Sequence, residues 1–203
     1  MGRMEMFNKK KLIRAEILSY EDYANIRSAR KAEIAKIKKT RRMEVGPHAT
    51  FYFESYETMW HQVHEMLHIE RGGEKQIVEE LEAYNPLIPQ GRELIATVML
   101  EIGDPIRRTR ILETLGGIEN TMYLSVNGQK IKGVPEGDIE RTNSAGKASS
   151  VQFIHFPFSD KHTEVFCTLS KKADVIVGSE HLNYCHGAGM PFAVRQSLVS
   201  DFD

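Results

Sequence analysis

Cysteine is scarce in this chain: Cys167 and Cys185 are the only two in 203 residues, and they form no CxxC pair. Two thiols are too few for a four-thiolate zinc site or an iron–sulfur cluster, and they suit a reducing compartment. Long apolar runs are also missing. No stretch approaches the roughly 20 apolar residues that a membrane-spanning helix needs. The opening MGRMEMFNKKKLIRAEILSY has no apolar core of a secretory signal, so a cytoplasmic location is expected. An excess of one charge is absent too, since 27 Lys and Arg oppose 28 Asp and Glu. That balance excludes a global pull toward nucleic acid or anionic membrane. Low-complexity tracts and Pro/Ser/Gly-rich linkers do not occur, so a single domain over residues 1–203 is expected.

What is present is patterned. From Glu21 to Arg42, eight basic residues (Arg27, Arg30, Lys31, Lys36, Lys38, Lys39, Arg41, Arg42) stand against three acids, and acids dominate from Glu65 to Glu82. Such blocks either complement each other within the molecule or offer residues 27–42 to an anionic partner, nucleic acid or acidic protein. Ser19 with Asp22 three residues on is a capping signal for a helix to about Lys39. VGPHATFYFES predicts a strand after a Gly-Pro turn. Residues 59–84 predict two helices broken at Gly72-Gly73 and stopped at Asn85-Pro86.

The second half predicts a strand (ELIATVMLEI), a helix started by Asp104-Pro105, and a hairpin across Asn127-Gly128. A further strand (SSVQFIHFPF), a helix capped by Ser159 and reaching about Lys171, a strand (ADVIVG) and a last helix from Pro191 complete it. The order β-α-β-β-β-α-β contains a split βαβ pattern. It predicts an α+β, ferredoxin-like sandwich over residues 93–203. Residues 1–92 would form a mainly helical N-terminal extension with one extra strand, around Phe51, at the sheet edge.

The stretch MWHQVHEMLHIERGGEKQIVEELEAYNP concentrates polar chemistry. At about 100° per residue, Met59, Trp60, Val63, Met66 and Leu67 share one side of a helix, and His61, His64, Glu65 and His68 the other. Glu70 projects into the apolar stripe, where a bare carboxylate is costly and needs a partner, a proton or a metal. His64-Glu65-Met66-Leu67-His68 matches H-E-x-x-H, the pattern in which two histidines bind zinc and the glutamate activates water. Its side of the helix lies away from the apolar stripe, so a solvated face is the expected reading.

The segments SYEDYANIRSARKAEIAKIKKTRRMEVGPHATFYFES, HEMLHIE, EELEAYNPLIP and SEHLNYCH resemble an uncharacterised bacterial family, domain of unknown function 3501, over nearly the whole chain. The positions that match its pattern are Gly46, His48, Glu65, Glu70, Asn85, Pro86, His181 and Tyr184. His61, His64 and His68 do not belong to it, and Gln152 stands where members tend to carry histidine. The resemblance implies a bacterial cytoplasmic protein whose neighbours include rubrerythrin-like and iron–sulfur reductase-like proteins, hence a redox or oxidative-stress setting.

These readings converge on a candidate site. His48, Glu70 and His181 are the candidate ligands of one divalent transition metal (Fe, Zn or Mn), with His64 and His68 as a secondary pair. Glu65, Asn85 and Tyr184 complete the ligand-binding candidates. The loop GSEHLNYCHGAGMP, which carries His181, Tyr184 and Cys185, is expected to hold a ligand or partner. The function expected is a metal- or small-ligand-binding accessory of a bacterial redox module, and the alternative is a non-catalytic module that binds an anionic partner through helix 27–42.

Overall fold

The structure, a computed structural model, describes residues 9–137, 141–168 and 174–202. Helix α1 (Tyr20–Lys39) is capped by Ser19, whose hydroxyl accepts from the Asp22 amide at 3.1 Å. Strands β1 (Arg42–Val45) and β2 (Ala49–Phe53) form a hairpin whose turn needs Gly46 at φ +68°. Helix α2 (Tyr56–Glu70) is capped by Ser55 and ends on Arg71, which takes the left-handed conformation at φ 57°. Helix α3 (Gly73–Tyr84) follows at once, then β3 (Glu93–Leu100) and α4 (Pro105–Glu113), which starts on the Asp104 cap. Strands β4 (Met122–Val126) and β5 (Gln129–Lys132) meet across Asn127 and Gly128, both at positive φ as a type I′ turn requires. The chain continues through β6 (Val134–Pro135), β7 (Val151–Pro157), α5 (Asp160–Cys167), β8 (Val175–His181), β9 (Tyr184–Gly189) and α6 (Phe192–Leu198).

The strands make two sheets, of order β1-β2-β3-β7-β6 and β5-β4-β8-β9, and every pairing between them is antiparallel. On the five-stranded sheet, Phe51, Phe53, Leu94, Val98, Ile154 and Phe156 point inward, to a core shared with Leu124, Val126, Val175 and Val177 of the second sheet. The other face of the same sheet carries Ile95 and Phe153. It packs with Tyr23, Met59, Trp60, Val63 and Ile77 in a second core under α1, α2 and α3. The five-stranded sheet is therefore buried on both faces, and a helical layer covers a two-sheet stack.

This α+β architecture departs from the ferredoxin-like expectation. A split βαβ unit needs parallel neighbours, and the named strands have none. One predicted strand near Phe51 is in fact two. The edge belongs to β1, and β2 is paired on both sides. The first half thus contributes to the sheet itself, across the expected division at residues 92/93. The segment predicted as a ligand loop after β8 is instead the β8–β9 hairpin, register His181↔Tyr184. Its glycines hid the strand, because Gly187 and Gly189 lower its β signal. The predicted end of α5 near Lys171 lies outside the described residues.

The segment before α1 straps the helical layer to the rest. Asn85 accepts from the Leu12 amide at 2.7 Å and donates to the Leu12 carbonyl at 3.1 Å. The Trp60 indole donates to the Glu16 carbonyl at 3.1 Å. Asn85 is thereby a structural clamp, with both ends of its amide in use.

Candidate functional site

Helix α2 lies under α1, so the histidine face expected to be solvated is covered. His61 and His64 are 8% and 1% exposed. The His64 Nδ1–H donates to the Trp60 carbonyl at 2.7 Å, and Nε2 accepts from the Leu18 amide at 3.0 Å. Both nitrogens are spent, and burial pushes its pKa down to about 4. His61 donates from Nδ1 to the Tyr23 hydroxyl at 3.1 Å, and that hydroxyl donates to Glu65 at 2.8 Å. Arg27 grips Glu65 with two bonds of 2.8 and 2.9 Å and Lys31 adds a second cation at 3.2 Å. The Arg27 guanidinium holds the Glu65 carboxyl down to about 2. A carboxylate so stabilised is a poor proton acceptor near neutrality. The H-E-x-x-H match therefore builds a packed polar network in place of a zinc site. His68 stacks on Tyr20 at 4.8 Å.

Glu70 is exposed rather than buried. It is the last residue of α2, beyond the packed part of the helix, and accepts from Gln76 Nε2 at 2.9 Å. Helical projection placed it in the apolar stripe but carried no information on where the covering layer stops. His48 sits in the β1–β2 turn with its ring 6.3 Å from Tyr184. His181 donates from Nε2 to the Gly116 carbonyl at 3.2 Å and accepts the Asn183 amide at Nδ1. Among the described residues no three His, Cys, Asp or Glu side chains are placed to hold a metal ion, so His48, Glu70 and His181 do not converge. Tyr184 is a buried peg between the sheets. Its hydroxyl donates to the Val45 carbonyl at 2.7 Å and accepts from the His48 and Ala49 amides at 2.9 and 2.7 Å. A Cβ on Gly46 would lie 2.6 Å from the His186 ring and 2.9 Å from that hydroxyl. Gly46, His48 and Tyr184 thus share one structural knot. Gln152 is fully buried on the inner face, donating to the Ser149 carbonyl at 2.9 Å, with its own oxygen unpartnered.

The basic stretch is largely spent inside the molecule. Arg27 and Lys31 serve Glu65, Arg30 pairs with Glu33 and lies 4.7 Å over Trp60, and Arg42 pairs with Glu44. Arg41 is 4% exposed and forms a buried ion pair with Asp201.

What the fold does assemble is a cleft of about 410 Å³ between the outer face of the five-stranded sheet and the helical layer. Met59, Leu87, Val151 and Phe153 give it apolar walls, and Tyr52, Gln62, Tyr84 and Lys38 stand around it. Glu54 lines it as well. This residue follows β2, is 5% exposed, and no cation among the described residues pairs with its carboxylate. Among the described residues its two oxygens accept only the Thr97 and Thr58 hydroxyls, each at 2.6 Å. Sequence reasoning missed Glu54 because it reads as the polar end of a strand, and only the sheet pairing Phe53↔Ala96 carries it toward Thr97. A second group also escaped notice. His155 bridges Glu93 (Nδ1, 2.9 Å) and Glu136 (Nε2, 2.6 Å), and the Glu93 hydrogen bond leads in raising its pKa.

Stacked antiparallel sheets under a three-helix layer, with a cleft between layer and sheet, define an α+β protein. No helix among the described residues is long and apolar enough to cross a membrane. The chain belongs to the family described as Protein of unknown function (DUF3501), whose pattern matches residues 11–202. It is similar to a crystal structure described as a novel protein of unknown function from Burkholderia pseudomallei K96243. The two share 34% identity over 95% of this chain and 100% of that one, with a TM-score of 0.87. No curated protein matches the chain.

Proposed function

We propose that this protein binds a small organic ligand with an apolar body and a hydrogen-bond-donating or cationic head, held in the cleft between the helical layer and the five-stranded sheet. The observation that carries the reading is Glu54, a buried carboxylate that no cation among the described residues pairs with, at the wall of a cleft whose apolar sides are Met59, Leu87, Val151 and Phe153. Burying an ionised carboxylate is expensive unless a cation or several donors compensate it, and two hydroxyls compensate it only in part. A ligand amine would supply the rest, and the neighbouring Tyr52, Tyr84 and Phe153 rings suit a cation. The volume lies at the small end of ligand pockets, roughly 300–1,000 Å³. The accompanying role, an accessory beside rubrerythrin-like or iron–sulfur proteins of a bacterial redox module, is carried by the family resemblance.

The test is a panel of small amines and their neutral isosteres, followed by NMR shifts of the Met59, Thr97 and Met99 methyl groups. Amines are expected to shift these resonances and to bind about tenfold tighter than isosteres, a gap that Glu54→Gln removes. Absence of shifts across the panel would refute the reading. Elemental analysis of untagged protein should find metal well below one ion per chain.

A further inference from the structure

A second cavity, of about 230 Å³, is lined by Lys36, Arg41, Ser55, Tyr56, Glu57 and Asp201 among others. We propose that it binds a small zwitterion, a molecule with an ammonium group at one end and a carboxylate at the other, of the size of a short amino acid. This site is independent of the cleft reading, because it rests on different side chains. A cavity of about 150 Å³ holds benzene, so this one has room for roughly six to ten heavy atoms.

Arg41 spends its guanidinium on the Phe53, Glu54 and Ser197 carbonyls, at 3.0, 2.7 and 3.3 Å, and on both oxygens of Asp201. That pair is closed and forms a rigid wall. Glu57 is not closed. It is 7% exposed, its Oε2 accepts from the Ser55 hydroxyl at 2.8 Å, and its Oε1 is buried with no partner. Buried polar atoms are nearly always satisfied, and one left alone costs about 1–3 kcal/mol. Lys36 also lines the cavity, at its exposed side, and carries no hydrogen bond or ion pair among the described residues. One anionic atom and one exposed cation that line the same cavity are therefore open among the described residues. An ammonium donates to Glu57 Oε1, and a carboxylate at its other end reaches Lys36. Asp201 faces the same region, and the negative charge of Glu57 raises its pKa further beyond the larger effect of burial, which Arg41 opposes. Positive charge near Glu57 is thus favoured from two carboxyl groups.

The experiment titrates the full chain at millimolar concentrations with glycine, alanine and serine, and with acetate and ethylamine as single-ended controls, by calorimetry and amide NMR. The expected result is binding of at least one zwitterion with shifts at residues 55–58, and binding of each control weaker by about tenfold or more. Glu57→Gln and Lys36→Gln should each weaken the zwitterion by about tenfold. Lys36 is exposed, so its variant keeps the fold and decides the matter even if Glu57→Gln is unstable. Ethylamine binding as tightly as alanine, Lys36→Gln binding unchanged, or no shifts for any of the three zwitterions would overturn the proposal. In the last case the open Glu57 oxygen holds water alone.

Discussion

Replacing Tyr184 by phenylalanine tests whether the two sheets are pinned at their corner by one hydroxyl. The ring stays and three hydrogen bonds go: one to the Val45 carbonyl and two from the His48 and Ala49 amides. Val45 and Ala49 are 0% and 3% exposed, so their backbone groups have no route to water. Each stranded group costs about 1–3 kcal/mol. The half-buried His48 amide finds water at little cost, and losing the buried hydroxyl returns part of its own desolvation. The net is a loss of about 2–4 kcal/mol. For a chain of 203 residues that lowers Tm by roughly 5–15 °C. Urea unfolding should show a lower midpoint at unchanged slope. A Tm within about 1 °C of the parent would refute the reasoning, because it would mean the freed groups repair themselves at no cost.

The remaining predictions concern charge. His155 has a raised pKa in the folded state, so its contribution is complete below the unfolded value of 6.5 and fades as pH rises through the folded value. His64 is shifted down to about 4, so its contribution is complete above 6.5 and fades as pH falls from there toward 4. Urea midpoints measured across pH should therefore decline on both sides of a plateau. His155→Gln should flatten the alkaline side alone, and an unchanged alkaline slope in that variant would count against the bridge. Glu65→Gln removes the acceptor of Arg27, Lys31 and Tyr23 and should cost about 1–3 kcal/mol while the far-ultraviolet circular dichroism is kept. A stability equal to the parent would show that the network is not a structural clamp.

Local signals were readable in the sequence. Ser19, Asp104 and Ser159 each act through backbone chemistry confined to three residues, and the Asn127-Gly128 turn follows from φ preferences alone. Sheet membership was not readable, because β1 and β9 are short, charged or glycine-rich and owe their pairing to distant partners. The α+β class and the family followed from the residues, and the arrangement into two sheets did not. The site misled for a related reason. Helical periodicity fixes which residues share a side, but whether that side meets water depends on another helix. His64 was consequently placed outside and Glu70 inside, the reverse of their positions. Glu54 and Glu57 carried no signature, since a buried acid is defined by its surroundings.

The indole of Trp60 is the chain's sole tryptophan. It is anchored to the Glu16 carbonyl, lies 3.8 Å from the His64 ring, and sits beneath Arg30. Its light emission is therefore wired to the strap that crosses the helical layer. Were residues 9–18 to peel away while both sheets held, the fluorescence would move to longer wavelengths well before any loss of sheet signal. The molecule carries its own optical gauge for fraying at that end.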